Sequence, residues 1–328
     1  MAGSGELARV DASFRAMGTC FELVLYHEDE RLLRALINDI QEEVARLEAK
    51  LSRFRPTSEV SRLNRLAGKQ AVQVDFEMAE ILSLALEYYA KTEGAFDITV
   101  APLVREWGFY DRRPHLADAV KLREMLERVG SEKIELDQAT RKVRFLHPEL
   151  EIDLGALGKG YALREVVALV RRLGVKQGLL SFGGSSIYGL GDRPGHSGWT
   201  FGFRYDEDPA TPPGTVTLRD MAFSMSGSTV RRFRKDGRTY GHVLDPRSGS
   251  PVEEVKAVAV VHRDPAIAEI LSTACMVRGV NGSEALLRAE KAQAIFALQS
   301  PEGPVLREVN FLEVKEEWRD QHTPVEIS

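Results

Sequence analysis

The order of hydrophobic patterns along this chain of 328 residues predicts an α+β fold: two intertwined lobes of mostly antiparallel sheet with flanking helices. Three observations point there. Long stretches with a helical apolar period alternate with short strand-like runs, the second half is richer in strands than the first, and no repeat or low-complexity tract divides the chain. The length suits about two domains or one large one, so the chain is expected to form a single unit with its lobes divided near 1–150 and 151–328.

Each element follows from its own pattern. Residues 13–26 form a strand pair or one long strand, because Phe21, Leu23 and Leu25 alternate with polar neighbours. The spacing of Leu32, Leu33, Leu36, Ile40, Val44, Leu47 and Leu51 predicts a helix over 28–51, ended by the segment Ser52 to Pro56. Helices are expected at 76–92, stopping at Gly94, and at 117–129, with short strands at 133–136 and 142–146. A helix at 161–173 leads into a buried strand at 178–182 that ends in Gly183-Gly184. Strands follow at 199–205, 214–218, 222–225 and 255–261, and Lys235-Asp236-Gly237 is the turn of a hairpin between 230–234 and 238–243. The proline-containing stretch 206–213 is a surface loop, and helices at 265–277 and 282–291 precede a strand at 294–298.

Composition restricts the function. Hydrophobic residues at 43% and charged residues at 28% are those of a soluble globular protein. A net charge of -5 provides no global field for nucleic acid or an anionic membrane, so any anionic ligand must be held locally. Cys20 and Cys275 each lie in an apolar run and are expected as buried free thiols. The first ten residues show no signal-peptide pattern, and no run of about 18 apolar residues offers a transmembrane segment. The opening MAGSG fits a native start or a vector-derived remnant.

Five segments carry chemistry. In Ile152 to Tyr161 (IDLGALGKGY), glycines, unsatisfied N–H groups at a helix start and the charge of Lys159 suit phosphate binding. The spacing matches neither the P-loop nor the dinucleotide fingerprint, and plain turn chemistry accounts for it equally well. The turn Gly241 to Gly249 places His242, Asp245 and Arg247 within six residues: a proton-transfer cluster, or a type I turn with His242 paired across the sheet. On the helix after Asp264, Glu269, Ser272 and Thr273 share one face, an oxygen set suited to a hard cation or simply a polar first turn with small packing residues. Gly94 to Leu103 and Trp107-Gly108-Phe109 set aromatics beside Asp97, as a ring-binding surface or as core, and Ser226 to Thr229 adds hydroxyls that suit an anion or a strand connection.

Taken together, these segments resemble the ApbE family of FAD:protein FMN transferases, formerly described as thiamine biosynthesis lipoproteins. The resemblance covers nearly the whole chain. It runs through Ala16-Met17-Gly18-Thr19, Ser52-Arg53-Phe54 with Ser58 to Asn64, Ala95-Phe96-Asp97 through Leu103, Trp107-Gly108-Phe109, Asp153 to Tyr161, Gly183-Gly184, Ser226-Gly227, His242 to Gly249 and Ala268 to Ala274, in the family's order.

The resemblance implies an ApbE-like, T-fold-related architecture and a transferase. Such an enzyme binds FAD with Mg²⁺, breaks its pyrophosphate, attaches FMN to a Thr or Ser hydroxyl of a target flavoprotein, and releases AMP. This flavinylation fits the local readings, since phosphoryl transfer needs charge neutralisation and a positioned hydroxyl. By resemblance, Met17, Phe54, Ala95, Phe96, Asp97, Asp153 and Lys159 contact FAD, with Val243 or Leu244 beside it. Metal binding falls to the Ala156 carbonyl, Glu269, Ser272 and Thr273. His242 and Asp245 lie near the transfer site, with His242 the base for the acceptor hydroxyl.

Two other readings stand beside this one: an FAD pyrophosphatase yielding FMN and AMP, and a non-catalytic FAD-binding protein. The family is usually periplasmic or lipid-anchored, whereas this sequence shows no signal peptide and no lipid-attachment cysteine near its start, as in a cytoplasmic protein or a truncated mature form. Three positions depart from the family pattern. Glu269 stands where Asp is usual, Arg164 where an acid often follows Gly-Tyr-Ala, and Val230 where an aromatic commonly follows Ser-Gly. Such changes bear on metal affinity, acceptor specificity, or transfer itself.

Overall fold

A computed structural model describes residues 7–206, 208, 211, 213–227, 232–300 and 303–310. β1 (Ala8–Ala16) and β2 (Thr19–His27) make a hairpin, so the stretch around 13–26 is two strands. Their turn is Met17-Gly18, with φ of 48° and 76°; Gly18 takes this conformation freely and Met17 at some cost. α1 (Glu30–Leu51) is capped by the Asp29 carboxylate, which accepts from the Arg31 and Leu32 N–H groups, and it buries Leu33, Leu36, Ile40, Val44, Leu47 and Leu51. α2 (Glu59–Leu66), β3 (Val72–Gln73), α3 (Phe76–Lys91), α4 (Ala101–Glu106), α5 (Ala119–Leu126), β4 (Ile134–Asp137) and β5 (Lys142–Phe145) complete the first half. In it, β3, β5 and β4 form a small antiparallel sheet.

The second half begins with α6 (Gly158–Arg172), then β6 (Gln177–Phe182), β7 (Ser186–Leu190), the pair β8 (Trp199–Phe203) and β9 (Gly214–Leu218), and β10 (Met221–Gly227). β11 (Arg232–Lys235) and β12 (Arg238–Gly241) form a hairpin through Asp236-Gly237, both with positive φ. β13 (Val255–His262), α7 (Pro265–Ala289), β14 (Gln293–Leu298) and β15 (Val305–Val309) follow. The range Pro265–Ala289 is two helices meeting at Gly279, whose φ of 68° and ψ of -177° are not helical, so the break expected between 277 and 282 is present.

The main sheet has the order β1-β2-β6-β7-β10-β13-β14-β15, with every neighbouring pair antiparallel. Because the first hairpin joins strands from the second half, the halves are woven through one sheet. α1, α6 and α7 cover one face, with Phe21, Leu180, Phe182, Val258, Val260 and Phe296 beneath them. β8 and β9 help close the other face, bringing Trp199, Phe201 and Leu218 into one cluster with Phe223 of β10. A third cluster of Leu103, Trp107, Phe109, Val129 and Leu244 joins α4 to the segment after β12. Among the described residues, no helix is long and apolar enough to cross a membrane.

α6 starts at Gly158, three residues earlier than the apolar period suggests, so Lys159 and Gly160 lie in its first turn and not in the loop before it. The Gly158 N–H bonds the Leu154 carbonyl at 2.7 Å, which begins the winding. Gly160 is where α6 meets α7: a Cβ there would lie 2.5 Å from the Pro265 oxygen and 2.9 Å from the Cα of Ala266 and the Cβ of Glu269. This glycine therefore permits close helix–helix contact.

Candidate active site

The junction of α6 and α7 gathers the polar groups expected at the phosphate end of the site. Glu269 projects from the second turn of α7 and is 3% exposed. One carboxylate oxygen accepts from the Lys159 ammonium and the other from the Gly160 backbone N–H. Leu157, the residue before α6, makes no side-chain cap bond, so the carboxylate from α7 serves an otherwise orphaned N–H of that first turn. A buried carboxylate requires such partners, because desolvating an unpaired charge is costly.

Beside Glu269 runs a chain of hydroxyls. Ser272 Oγ donates to the Glu269 carbonyl at 2.9 Å and stands 2.8 Å from Ser226 Oγ and 3.3 Å from Ser224 Oγ. Ser226 Oγ also reaches Thr273 Oγ1 at 3.2 Å. The i, i+3, i+4 spacing read from the sequence does place Glu269, Ser272 and Thr273 together, and β10 contributes Ser224 and Ser226 to the same group. Arg164 accounts for itself nearby: it bonds both oxygens of Asp264, which caps α7, and so fastens α6 to that helix. Ser228, Thr229 and Val230 lie outside the described residues.

The loop before α6 meets a second group. Asp153 accepts from the Tyr110 hydroxyl, the Gly155 N–H at 2.8 Å and Arg53 at 3.5 Å. The Arg53 guanidinium lies 4.2 Å from the Tyr110 ring centroid, and Phe54, 73% exposed, meets Tyr110 edge-on at 5.9 Å. These groups give a charged and aromatic surface open to solvent, suited to a flat ring or an anion. Burial, with the Asp153 charge adding, pushes the Tyr110 hydroxyl well above its ordinary pKa, so it stays a donor.

Asp97 lies deeper, at 8% exposure. Its Oδ1 accepts from Thr99 N at 2.8 Å, Thr99 Oγ1 at 2.7 Å and Ser131 Oγ at 2.6 Å. Burial raises its carboxyl pKa despite those bonds. It lines a cavity of about 240 Å³ with Tyr89, Glu132, Lys133 and Arg247. Ala95 and Phe96 are each 1% exposed, so the side chain of Phe96 packs in the core and these positions offer a ligand chiefly backbone.

The histidine turn is held from the other side. Trp107 Nε1 donates to the Gly249 carbonyl at 2.8 Å, and Trp107 stacks on Tyr240 at 5.7 Å. His242 is half-buried, with its ring 6.4 Å from that of Phe109. Asp245 is bonded by the Arg247 backbone and guanidinium, and its carbonyl accepts from Gly249 N at 2.8 Å. Burial raises the Asp245 pKa, yet the bonds and charge of Arg247 outweigh it and hold the carboxyl below its usual range. Asp245 therefore shapes the turn, with its charge compensated by Arg247. Leu244 is buried in the third cluster, whereas Val243 is only partly buried.

Short connections join these groups. Asp153 N bonds the Ile98 carbonyl at 2.7 Å, tying the loop before α6 to the Asp97 segment. The Gly94 backbone approaches Arg247, and Trp107 ties α4 to the histidine turn. Met17, at the hairpin turn, is fixed by its N–H on Glu48 of α1 at 3.0 Å. Sequence alone does not single out Tyr110, Arg53 and Ser224 as site residues. Tyr110 directly follows Trp107-Gly108-Phe109, and Arg53 lies within the motif that carries Phe54, so adjacency was their signal; Ser224 is revealed only by strand pairing. Among the described residues, no group of three or more His, Cys, Asp or Glu side chains is arranged to hold a metal.

Comparison with known proteins gives a consistent picture. The sequence pattern of the ApbE family matches residues 17–296. A FAD:protein FMN transferase of Klebsiella pneumoniae is 30% identical over 287 residues, spanning 87% of this chain and 87% of its own. One of Escherichia coli K12 is 27% identical over 283 residues, spanning 84% and 80%. The crystal structure of the apo form of the Pseudomonas stutzeri flavinyl transferase ApbE superposes with a TM-score of 0.83 at 27% identity, over 93% of this chain and 95% of that one.

Proposed function

The chain belongs to the ApbE family, and from that premise we propose that it is a FAD:protein FMN transferase. It exchanges one P–O bond for another: the pyrophosphate of FAD breaks, the FMN phosphate joins a Ser or Thr hydroxyl of a target flavoprotein, and AMP leaves. The hydroxyl proton passes to a base, and the chemistry reduces to positioning and charge neutralisation. The observation that carries this reading is the α6–α7 junction, where Lys159, the Gly160 N–H, Glu269 and the hydroxyls of Ser226, Ser272 and Thr273 meet.

Magnesium is the metal this family implies, and the donors here suit it. They are all oxygen: the buried Glu269 carboxylate, the Ser272 and Thr273 hydroxyls, and the Ala156 carbonyl from the loop before α6. When bound there, the ion supplies neutralisation of phosphate charge. The remaining work falls to the chain's own residues. Lys159 contributes its ammonium to the pyrophosphate, and Met17, Phe54, Asp97, Asp153 and Val243, with backbone at Ala95, Phe96 and Leu244, contact FAD. His242 accepts the proton of the acceptor hydroxyl at an imidazole nitrogen, while Asp245 holds the turn through Arg247.

The test of that role uses His242→Ala with FAD, Mg²⁺ and a flavoprotein acceptor of a related transferase. A fall of about 10²-fold or more in transfer rate with FAD affinity retained is expected. An unchanged rate removes His242 as the base.

A further inference from the structure

Both oxygens of Glu269 are engaged, but by partners of different kinds. The Gly160 N–H is backbone, fixed by the first turn of α6. The Lys159 ammonium ends a flexible four-carbon stem, and its side chain is 25% exposed against 4% for Glu269. Lys159 can thus leave the carboxylate by side-chain rotation alone, towards the solvent side of the junction. A buried carboxylate does not tolerate losing its counter-charge unless another cation replaces it. Conversely, an ammonium held against Glu269 is repelled by a divalent ion on the same oxygens.

We propose that Lys159 is an exchangeable counter-ion: it neutralises Glu269 until a divalent cation takes that place, and then turns its ammonium to the pyrophosphate of FAD. Cation and FAD binding are thereby coupled through one side chain, each favouring the arrangement that the other requires. The inference rests on the proposed transferase reading and adds to it an order of events at the α6–α7 junction. Through the Gly160 N–H, Glu269 keeps one fixed partner while the other exchanges.

The experiment measures FAD binding by flavin fluorescence, with and without saturating Mg²⁺, and Mg²⁺ binding by calorimetry, with and without FAD. In the unaltered protein each ligand tightens the other by the same factor, about tenfold or more. In Lys159→Met, Mg²⁺ alone binds more tightly, FAD binds more weakly, and the coupling factor falls by about fivefold or more. Lys159→Gln, which retains an N–H donor for Glu269, gives the same pattern and serves if the methionine variant is unstable. A lysine held on Glu269 throughout predicts tighter Mg²⁺ binding with the coupling factor unchanged. A lysine that never engages Glu269 predicts unchanged Mg²⁺ binding in the absence of FAD. Either result overturns the exchange while leaving the transferase reading intact, whereas an unaltered protein that binds no FAD at any Mg²⁺ concentration overturns both.

Discussion

Gly160→Ala is the sharpest perturbation of the helix junction. A Cβ at this position falls 2.5 Å from the Pro265 oxygen and 2.9 Å from Ala266 Cα, both backbone atoms of α7. Neither can rotate away, so α6 and α7 must separate by roughly half an ångström in a packed interior. Overpacking of this kind costs about 1–3 kcal/mol, and the better helix propensity of alanine returns up to about 1 kcal/mol, so the net loss lies between about 0 and 3 kcal/mol. Gly158→Ala is the internal control two residues earlier, because its Cβ meets only Leu51 Cδ1 at an ordinary 3.9 Å. That change is expected to be neutral or to stabilise by up to about 1 kcal/mol. Urea unfolding of both variants gives the comparison. The separation also withdraws the Gly160 N–H and Lys159 from Glu269, so Gly160→Ala alone weakens FAD binding. Equal stability of the two variants refutes the close approach and the geometry built on it.

Other changes probe the surrounding groups. The raised pKa of Asp97 means that the folded state keeps its proton where the unfolded chain has lost it, so stability falls as pH rises from the ordinary aspartate value of 3.8 through the raised one. Denaturation midpoints across acidic pH should flatten in Asp97→Asn relative to the unaltered protein, and an unchanged slope removes Asp97 as the source. Trp107→Phe leaves the Gly249 carbonyl without its donor, at a cost of about 1–3 kcal/mol, and loosens the histidine turn. Its kcat should fall while FAD affinity holds, as steady-state kinetics with equilibrium titration will show. Tyr110→Phe removes a hydroxyl from Asp153 but preserves the ring beside Arg53 and Phe54. FAD affinity should drop by about fivefold to tenfold, the worth of roughly one hydrogen bond, and an unchanged affinity places Asp153 away from the ligand.

What the sequence discloses and what it hides follow from the range of the forces involved. The apolar period of α1 is local, and six of the seven residues it names, Leu33, Leu36, Ile40, Val44, Leu47 and Leu51, are buried, with Leu32 partly so. Asp236-Gly237 likewise forces a hairpin whatever surrounds it. The first turn of α6 is different: it contains two glycines, weak helix formers in isolation, and is held by Glu269 more than a hundred residues away. Short elements such as α2, α4 and β7 also depend on what they pack against, which no local window contains. At the site, Glu269, Ser272 and Thr273 were legible because they lie on one helix. Their union with Ser224 and Ser226 required the antiparallel pairing of β10 and the packing of α7 on it.

Transfer of FMN to a protein hydroxyl is read by mass spectrometry of an acceptor flavoprotein incubated with this protein, FAD and Mg²⁺. A transferase leaves FMN in phosphoester linkage to one Ser or Thr side chain, formed in equal amount with AMP and abolished when that residue is changed to Ala. AMP accompanied by free FMN and an unmodified acceptor, which itself accepts FMN from a related transferase, would contradict transfer.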